Sequence, residues 1–317
     1  MEGLLSLTPA HALVERLRRL RDADPLVSLA EAAVALDVVE AELVASLCGS
    51  GVLRLDGPFG DLVRTLPTLG RVRSITRNRH TAIETRGVYP SPELGCAGVA
   101  GEIGARFFLE QWRYGYALDE ATAPDGAPAL FFYDTRGQVV HEVHAQMETD
   151  HRVLARLIDL FACFDQSAGE EIMLASPHTL RPRTDLSAWL RQAEDARPVA
   201  ANVVPEVLEA ARREAIPVSV AVRSAGVVQR FSGLLHEVAR VGDGLAIEAP
   251  WVRVQILPER IAEAWVVSTP SLDGPATSLE LLDASASVVL SVSSARWPGK
   301  SEPAPWRELL ARLPSSV

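Results

Sequence analysis

Two stretches of this chain, about 150 residues apart, present the same order of predicted elements, and this internal duplication limits the folds open to it. In each stretch an alternating strand and a short helical turn precede an aromatic-bearing strand, an Asp-Gly turn and a hairpin. The stretches are GARFFLEQWRYGYALDEATAPDGAPALFFYDTRGQVVHEVHA (104–145) and WVRVQILPERIAEAWVVSTPSLDGPATSLELLDASASVVLSV (251–292). The paired aromatic residues are Tyr116 and Trp265, and the turns are Asp125-Gly126 and Asp273-Gly274. The duplication predicts two homologous halves.

The spacing of apolar residues indicates what each half contains. The first 70 residues have helical spacing, and from Arg71 the apolar period changes to two. We therefore predict an α+β fold of two tandem structural repeats, each an antiparallel β-meander sheet packed on helices. The predicted domains are 1–165, with a helical lead-in, and 166–317. A ligand cleft is expected between the halves, and the alternative is that the duplication only enlarges the core.

Composition restricts the classes of function. The net charge of −10 argues against broad affinity for nucleic acid or anionic lipid, although a local arginine cluster could still hold an anionic ligand. The three cysteines are far apart and lack CxxC spacing, so we expect neither a disulfide framework nor a structural zinc site. No apolar run reaches the length of a membrane span, and the expectation is a cytoplasmic protein without membrane insertion.

A short segment between the halves, RPRTDLSAWLRQ (181–192), has the pattern of an amphipathic helix. Thr184 or Asp185 can cap its first turn, and Trp189 and Leu190 belong to an apolar stripe, with Ser187 on the other side. The segment is either a connector or part of a binding site. Its pattern alone leaves both interpretations open.

Six stretches together resemble one known family, the haemin-degrading factor or haem-utilisation family (HemS/ChuS/HmuS-like). They are EAAVALDVVEAELVASLCGSGVLRLDG, LGRVRSITRN, ARFFLEQWRYGYAL, LFFYDTRGQVVHEVH, IAEAWVVSTPSLDGPATSLELLD and ARWPGKSEPAPWRELLARL. The resemblance runs from about residue 28 to about residue 313. It implies paired repeats with haem held between them, and a role in haem trafficking or oxidative degradation. It also implies an axial histidine on a helix opening the second half, and an arginine on the other face of the haem.

The resemblance places the arginine at Arg106, with Phe108 packing on the porphyrin from the same face of the strand. A guanidinium over a porphyrin can hold water or bound oxygen by hydrogen bonding. The alternative is a surface arginine that pairs with Glu102 or Glu110. Arg296, in the RxPG motif, is carried over as a propionate partner or a structural residue.

Other positions depart from the family pattern. Ser187 occupies the position of the axial histidine, and a serine hydroxyl is a poor donor to haem iron at neutral pH. Thr269 replaces a lysine, and Ser291 and Ser293 replace a polar and an aromatic residue. These replacements together predict a reshaped pocket.

Another histidine could supply the axial ligand. His178 lies nine residues before Ser187 in a Pro-flanked loop, and it is our candidate ligand for haem iron, against the alternative of a solvated loop histidine. His141 and His144 lie on a predicted strand, where residues i and i+3 point to opposite faces, so no metal site is expected there. Arg77, Arg79 and Arg86 are read as a solvated face in preference to a binding patch.

Three functions remain open from the sequence. The chain binds haem and opens its macrocycle with an electron donor, or it carries haem without catalysis, or it has diverged to another flat anionic ligand or to a role as an interaction protein. The catalytic residues are not identified. The expected partners are haem or a similar ligand, a haem donor and a reductase.

Overall fold

The computed structural model describes residues 9–90, 102–169, 190, 195–297 and 299–316. It divides into two compact units. Unit 1 consists of Met1–Arg73 and Phe108–Thr179, and unit 2 of Ser74–Phe107 and Leu180–Val317. The fold is α+β, as predicted, and its strand pairings are antiparallel. The predicted boundary between residues 165 and 166 stays a prediction.

Seven α-helices and sixteen strands are found among the described residues. The helices are α1 (Pro9–Ala23), α2 (Leu29–Leu36), α3 (Glu40–Ala45), α4 (Phe59–Thr65), α5 (His151–Phe161), α6 (Val204–Arg213) and α7 (Ala304–Ala311). The first eight strands are β1 (Val52–Leu55), β2 (Gly70–Arg77), β3 (Thr81–Gly87), β4 (Gly104–Phe107), β5 (Tyr114–Leu118), β6 (Ala129–Tyr133), β7 (Val139–Thr149) and β8 (Ala196–Val199). The others are β9 (Val218–Arg223), β10 (Val227–Gly233), β11 (Glu237–Val241), β12 (Gly244–Ala249), β13 (Val252–Ile256), β14 (Glu263–Thr269), β15 (Ala276–Leu282) and β16 (Val288–Ser294).

In unit 1 the strands β1-β5-β6-β7 form a sheet in this order. The first residues of β2 lie next to β7 in the same sheet. Two of its helices begin at side-chain caps. Ser28 and Glu31 form a capping box at α2, and Asp150 accepts from the backbone N–H groups of Arg152 and Val153 at α5. The core between α1 to α3 and the sheet includes Tyr116, which is fully buried.

Unit 2 contains two sheets. One has the order β2-β3-β13-β12-β11, with the residues of β2 from Ser74 onward, and the other is the seven-stranded sheet β4-β10-β9-β16-β15-β14-β8. Their shared core includes Val220 of β9, Ile83 of β3, Val254 of β13 and the buried Trp306 of α7. Alternate residues of β9 therefore face this core, and the residues between them face the other way.

The predicted duplication is confirmed by the element order. The meander β5-β6-β7 corresponds to β14-β15-β16, and the hairpin β2-β3 corresponds to β9-β10. A short 3-10 turn precedes β5 at Leu109–Gln111 and precedes β14 at Pro258–Arg260. The strand before each turn pairs with the opposite repeat: β4 pairs with β10, and β13 pairs with β3. This exchange was not predicted. No helix in the described part of the chain is long and apolar enough to span a membrane.

Candidate functional site

The candidate site lies on the face of the seven-stranded sheet that points away from the core of unit 2. We call it the polar face. Its residues, identified by strand alternation and register, are Arg106, Ser219, Ala221, Arg223, Val228, Arg230, Ser232, Trp265, Val267, Thr269, Ser278, Glu280, Leu282, Ser291 and Ser293. Within one sheet, directly paired residues point to the same face. Polar and small side chains dominate the middle strands of this face.

Arg106 lies on the polar face at the edge strand β4. It pairs with Val228 of β10, and Val228 pairs in turn with Arg223 of β9. The side chain of Arg106 is exposed. β4 ends at Phe107, and Phe108 is the N-cap residue of the 3-10 turn Leu109–Gln111. The predicted role of Phe108 in packing on the porphyrin stays a prediction.

A row of four serines crosses the polar face. Ser278, Ser293, Ser219 and Ser232 are successive partners on β15, β16, β9 and β10. Ser232 donates its hydroxyl to Ser219 at 3.1 Å. These short side chains leave a shallow floor, since none extends beyond one heavy atom from Cβ.

Three replaced positions of the family pattern, Thr269, Ser291 and Ser293, also lie on this face. Ser291 donates to the carboxylate of Glu280, its partner on β15. Thr269 is the last residue of β14 and is exposed. The structure thus brings Arg106, Ser291 and Ser293 onto one surface, although they are separated by nearly 190 residues of sequence.

Arg296 follows β16 and bonds to the turn between β14 and β15. Its guanidinium donates to the Ser271 hydroxyl at 3.3 Å and lies 3.5 Å from the Gly274 carbonyl oxygen. Two later residues of the same motif hold β15: Glu302 accepts from the Thr277 backbone N–H at 2.8 Å, and Trp306 donates to the Thr277 carbonyl at 2.9 Å. The described contacts of this motif are structural.

The segment between the halves is represented by one described residue, Leu190. It is 1% exposed and packs with Trp265, Val267 and Leu282 of the polar face. His178 and Ser187 lie outside the described residues. Leu190 therefore packs on the same sheet face that carries Arg106.

The polar face fits the carboxylates of a porphyrin better than it fits the iron. Haem iron takes His, Cys, Met or Tyr as protein ligands. The residues of the polar face include none of these four types, whereas they include three arginines, Arg106, Arg223 and Arg230. An axial ligand would have to come from another part of the chain.

A buried charged cluster in unit 1 was missed in the sequence. His144 lies between two carboxylates, with Nδ1 3.2 Å from Asp125 and Nε2 3.0 Å from Glu142, and Arg73 pairs with Asp125. Burial disfavours the imidazolium, but the two hydrogen bonds outweigh it and raise the pKa of His144. Burial by itself would raise the pKa of the Asp125 carboxyl. The hydrogen bond from His144 and the positive charges of His144 and Arg73 outweigh burial, so the pKa of Asp125 is lowered. The sequence pattern predicts Asp125 only as a turn residue.

The pKa of the neighbouring His141 is shifted in the opposite direction from that of His144. It faces away from His144, as predicted for a strand, and is fully buried beside Trp112 and Phe132. Burial lowers the pKa of His141 to about 3, and the nearby charge of Glu142 only partly opposes this. Among the residues the structure describes, no group of His, Cys, Asp and Glu side chains could hold a metal ion.

A cavity of about 460 Å³ lies elsewhere in unit 2, at the β2-β3 turn beside β11, β12 and β13. Arg77, Arg79 and His80 line it together with Asp243. His80 lies 3.8 Å from the carboxylate of Asp283. None of the residues predicted to bind haem lines this cavity.

Comparisons with known proteins point to a single family. The model of the haemin-degrading HemS.ChuX domain matches residues 37–161 and 183–313. The hemin transport protein HmuS of Yersinia pestis is 27% identical over 314 residues, spanning 89% of this chain and 91% of the relative. The hemin transport protein HemS of Yersinia enterocolitica is 26% identical over the same shares.

Two solved structures share the fold along almost the entire chain. Holo-PhuS, a heme-binding protein from Pseudomonas aeruginosa, matches with a TM-score of 0.86 and 26% identity, covering 98% of this chain and 100% of that one. ChuS, a heme degrading enzyme from Escherichia coli O157:H7, matches with a TM-score of 0.84 and 25% identity, covering 96% and 99%. The likeness therefore spans both repeats.

Proposed function

This chain belongs to the haemin-degrading HemS.ChuX domain family, and we propose that it binds haem in the cytoplasm as part of haem and iron utilisation. The observation that carries the proposal is the position of Arg106. It lies on a sheet face that combines cationic side chains with a floor of serines, a surface suited to a flat, anionic ligand. Haem has this shape and carries two carboxylates.

The polar face supports binding more directly than catalysis. Arg106 can donate hydrogen bonds to a carboxylate, or to a small ligand above the porphyrin. Bound haem would itself supply any redox chemistry, with the chain contributing orientation and charge. A carrier that passes haem between a donor and an acceptor is therefore our first proposal, and ring opening with a reductase is the extension.

A second candidate function is binding of a different flat anionic ligand. Ser187, Thr269, Ser291 and Ser293 favour it, because each of them replaces a side chain that the family resemblance assigns to haem. The cationic part of the polar face would still serve such a ligand. The two candidates differ in whether iron gains a protein ligand.

Titration of the purified protein with haemin, followed by absorption spectroscopy, tests the proposal. We expect a saturable 1:1 transition with a sharpened, shifted Soret band. A spectrum that stays identical to free haemin at micromolar protein would sink haem binding and leave the second candidate. Arg253→Gln, an exposed arginine on β13, is the matched control for protein charge and should titrate like the parent protein.

Two further experiments test whether His178 is the axial ligand and whether the chain is an enzyme or a carrier. His178→Ala should change the ligand-field bands if this histidine binds the iron, and unaltered bands would remove it as the axial ligand. Ascorbate and oxygen should bleach the Soret band with a defined tetrapyrrole product only if the chain is an enzyme. A stable spectrum under these conditions favours the carrier.

A further inference from the structure

The cavity of about 460 Å³ at the β2-β3 turn takes no part in the proposed haem site. We call it the turn cavity, and its lining residues are 77–82, 241, 243–246 and 255–257. None of them belongs to the polar face, which is formed by the other sheet of unit 2. The volume lies within the range of about 300–1,000 Å³ that is usual for small-molecule sites. The turn cavity is therefore a candidate site for a ligand other than haem.

The turn that forms one wall of the turn cavity is held in place by Asn78. The side-chain oxygen of Asn78 accepts from the backbone N–H groups of His80 and Thr81, both at 2.9 Å. Its side-chain nitrogen donates to the carbonyl oxygens of Arg223 and Val289 at 3.1 and 2.9 Å. A site that already has its binding geometry loses less entropy when a ligand arrives. The backbone that presents the lining side chains is therefore preorganised.

Thr81 brings an unused hydrogen-bonding group to this wall. The residue is 4% exposed, and its hydroxyl oxygen has no hydrogen-bond partner in the part of the chain that the structure describes. An unpaired buried hydroxyl costs stability, and a ligand that supplies an acceptor removes this cost. Thr81 lines the turn cavity, and rotation about χ1 moves its hydroxyl to another staggered position. A ligand oxygen in the cavity can therefore accept its hydrogen bond.

The charged residues of the turn cavity favour an anion. Arg77 and Arg79 line it, and Asp243 is the only acidic residue among the described residues that do so. Arg77 already interacts with another group, and His80 lies 3.8 Å from Asp283. Arg79 is exposed and forms no ion pair within the described ranges of the chain. Because a guanidinium can donate two parallel hydrogen bonds to a carboxylate or a phosphate, Arg79 is the cation available to such a ligand.

The rest of the lining is mainly aliphatic. Val241 is 53% exposed and Leu257 is 40% exposed, so covering these side chains would stabilise a complex. Leu245 and Ile256 also line the cavity and are buried. Among the residues described at this cavity, none is Phe, Tyr or Trp, and a planar ring would find no such side chain for stacking. An aliphatic body therefore fits the turn cavity better than a porphyrin does.

We propose that the turn cavity binds a small amphipathic anion. A carboxylate or phosphate group of the ligand meets Arg79 and Thr81, and its aliphatic chain packs on Val241 and Leu257. This activity is additional to haem binding, because the turn cavity and the polar face lie on different sheets of unit 2. The two ligands therefore bind without competing.

Titration of the full chain with octanoate, octyl phosphate and octan-1-ol by isothermal calorimetry tests the inference. The three probes share an aliphatic body and differ in the head group. We expect saturable 1:1 binding of at least one anion, with the alcohol at least about tenfold weaker. The anion that binds more tightly identifies the acidic group. Equal Kd values for the alcohol and the tighter anion, or no saturable binding of either anion, would overturn the inference.

Substitutions in the chain locate the site. Arg79→Gln should raise the Kd of the tighter anion about tenfold and leave that of octan-1-ol unchanged. Thr81→Val should raise the Kd of the anion about fivefold without lowering the free energy of unfolding, because valine keeps the volume and removes the unpaired hydroxyl. Leu257→Ser should weaken all three probes. Arg253→Gln, at an exposed arginine of β13 that does not line the cavity, should change none of them.

Haemin separates this inference from the proposed function. Haemin titrations of Arg79→Gln and of the parent should coincide, and competition between haemin and the anion would overturn the inference. If the parent binds haemin while Arg79→Gln and Thr81→Val bind the anion as tightly as the parent, the inference fails and the proposed function stands. If both variants lose anion affinity while the parent leaves the haemin spectrum unchanged, the inference stands and the proposed function fails.

Discussion

Imidazole is a common protein ligand of haem iron, and the strands of the polar face offer none. By the family resemblance, the axial imidazole would lie at the position of Ser187, and His178 is the other candidate ligand. If neither residue binds the iron, haem bound to this chain would keep only solvent ligands on its iron.

Restoring an imidazole at this position should change ligation. We expect Ser187→His to give haemin a nitrogen-ligated spectrum, with a sharper Soret band and at least about tenfold tighter binding, because a neutral imidazole donates to iron far better than a hydroxyl. Absorption and resonance Raman spectra would show the new ligand, and Ser187→Gln would serve as the polar control. Identical spectra for Ser187→His and the parent would contradict the assignment of this segment.

The buried His141 should make stability fall in mild acid. Because burial lowers the pKa of His141 to about 3, the folded state keeps this ring neutral while the unfolded chain takes up a proton below about pH 6.5. Stability should therefore drop by about 1.4 kcal/mol per pH unit between pH 6 and pH 4 from this group alone. His144, whose pKa is raised, stays protonated below pH 6.5 and does not oppose the trend.

Urea unfolding at several pH values measures this effect. His141→Gln should flatten the decline relative to the parent protein, even if its stability at pH 7 is lower. His236→Gln, at an exposed histidine, should leave the slope unchanged. Equal slopes for the parent and His141→Gln would contradict neutral burial of this ring.

At the scale of elements, local patterns predicted much of the fold. The hairpin around Thr135-Arg136-Gly137 forms as predicted between β6 and β7, with Gly137 at a φ of 69°. The sequence could not show where β4 ends, because the 3-10 turn after Phe107 has no strong signal of its own. It also could not pair His144 with Asp125, since that contact joins residues 19 positions apart through tertiary packing.

The RxPGxxExxxW motif has a structural task that the sequence left open. Arg296 bonds the turn between β14 and β15, and Trp306 anchors α7 to Thr277 at the start of β15. The motif thus fixes the meander β14-β15-β16 against the last helix, α7. Its preservation alone is therefore weak support for haem binding.

A change at Trp306 tests this anchoring. The side chain is fully buried, and Trp306→Phe removes both its N–H donor to Thr277 and part of its volume. We expect a loss of about 1–3 kcal/mol in the free energy of unfolding, with haemin affinity unchanged for the folded protein. Urea unfolding and a haemin titration on the same sample separate the two effects. Trp297→Phe, at an exposed tryptophan, is the control.

At the scale of the whole molecule, each repeat contributes one strand that pairs with a strand of the other repeat. β4 of the first repeat completes the sheet beside β10 of the second, and β13 of the second repeat continues the sheet beside β3 of the first. Short-range periodicity cannot reveal this, because β3 and β13 are separated by about 165 residues. Each repeat by itself would expose unpaired edges at both positions.

The repeats should therefore not fold as separate chains. We expect fragments 1–169 and 170–317 to aggregate or unfold without cooperativity when expressed alone, and to assemble as a 1:1 complex when expressed together. The cut follows Gly169 because Gln166 bonds to the backbone of Arg54 in the first repeat. Light scattering and hydrogen exchange at β3 and β10 provide the measurements, with the uncut chain as control. Two monomeric fragments that each unfold cooperatively would show that the exchanged pairings are dispensable, because the edges that they leave open would then cost little.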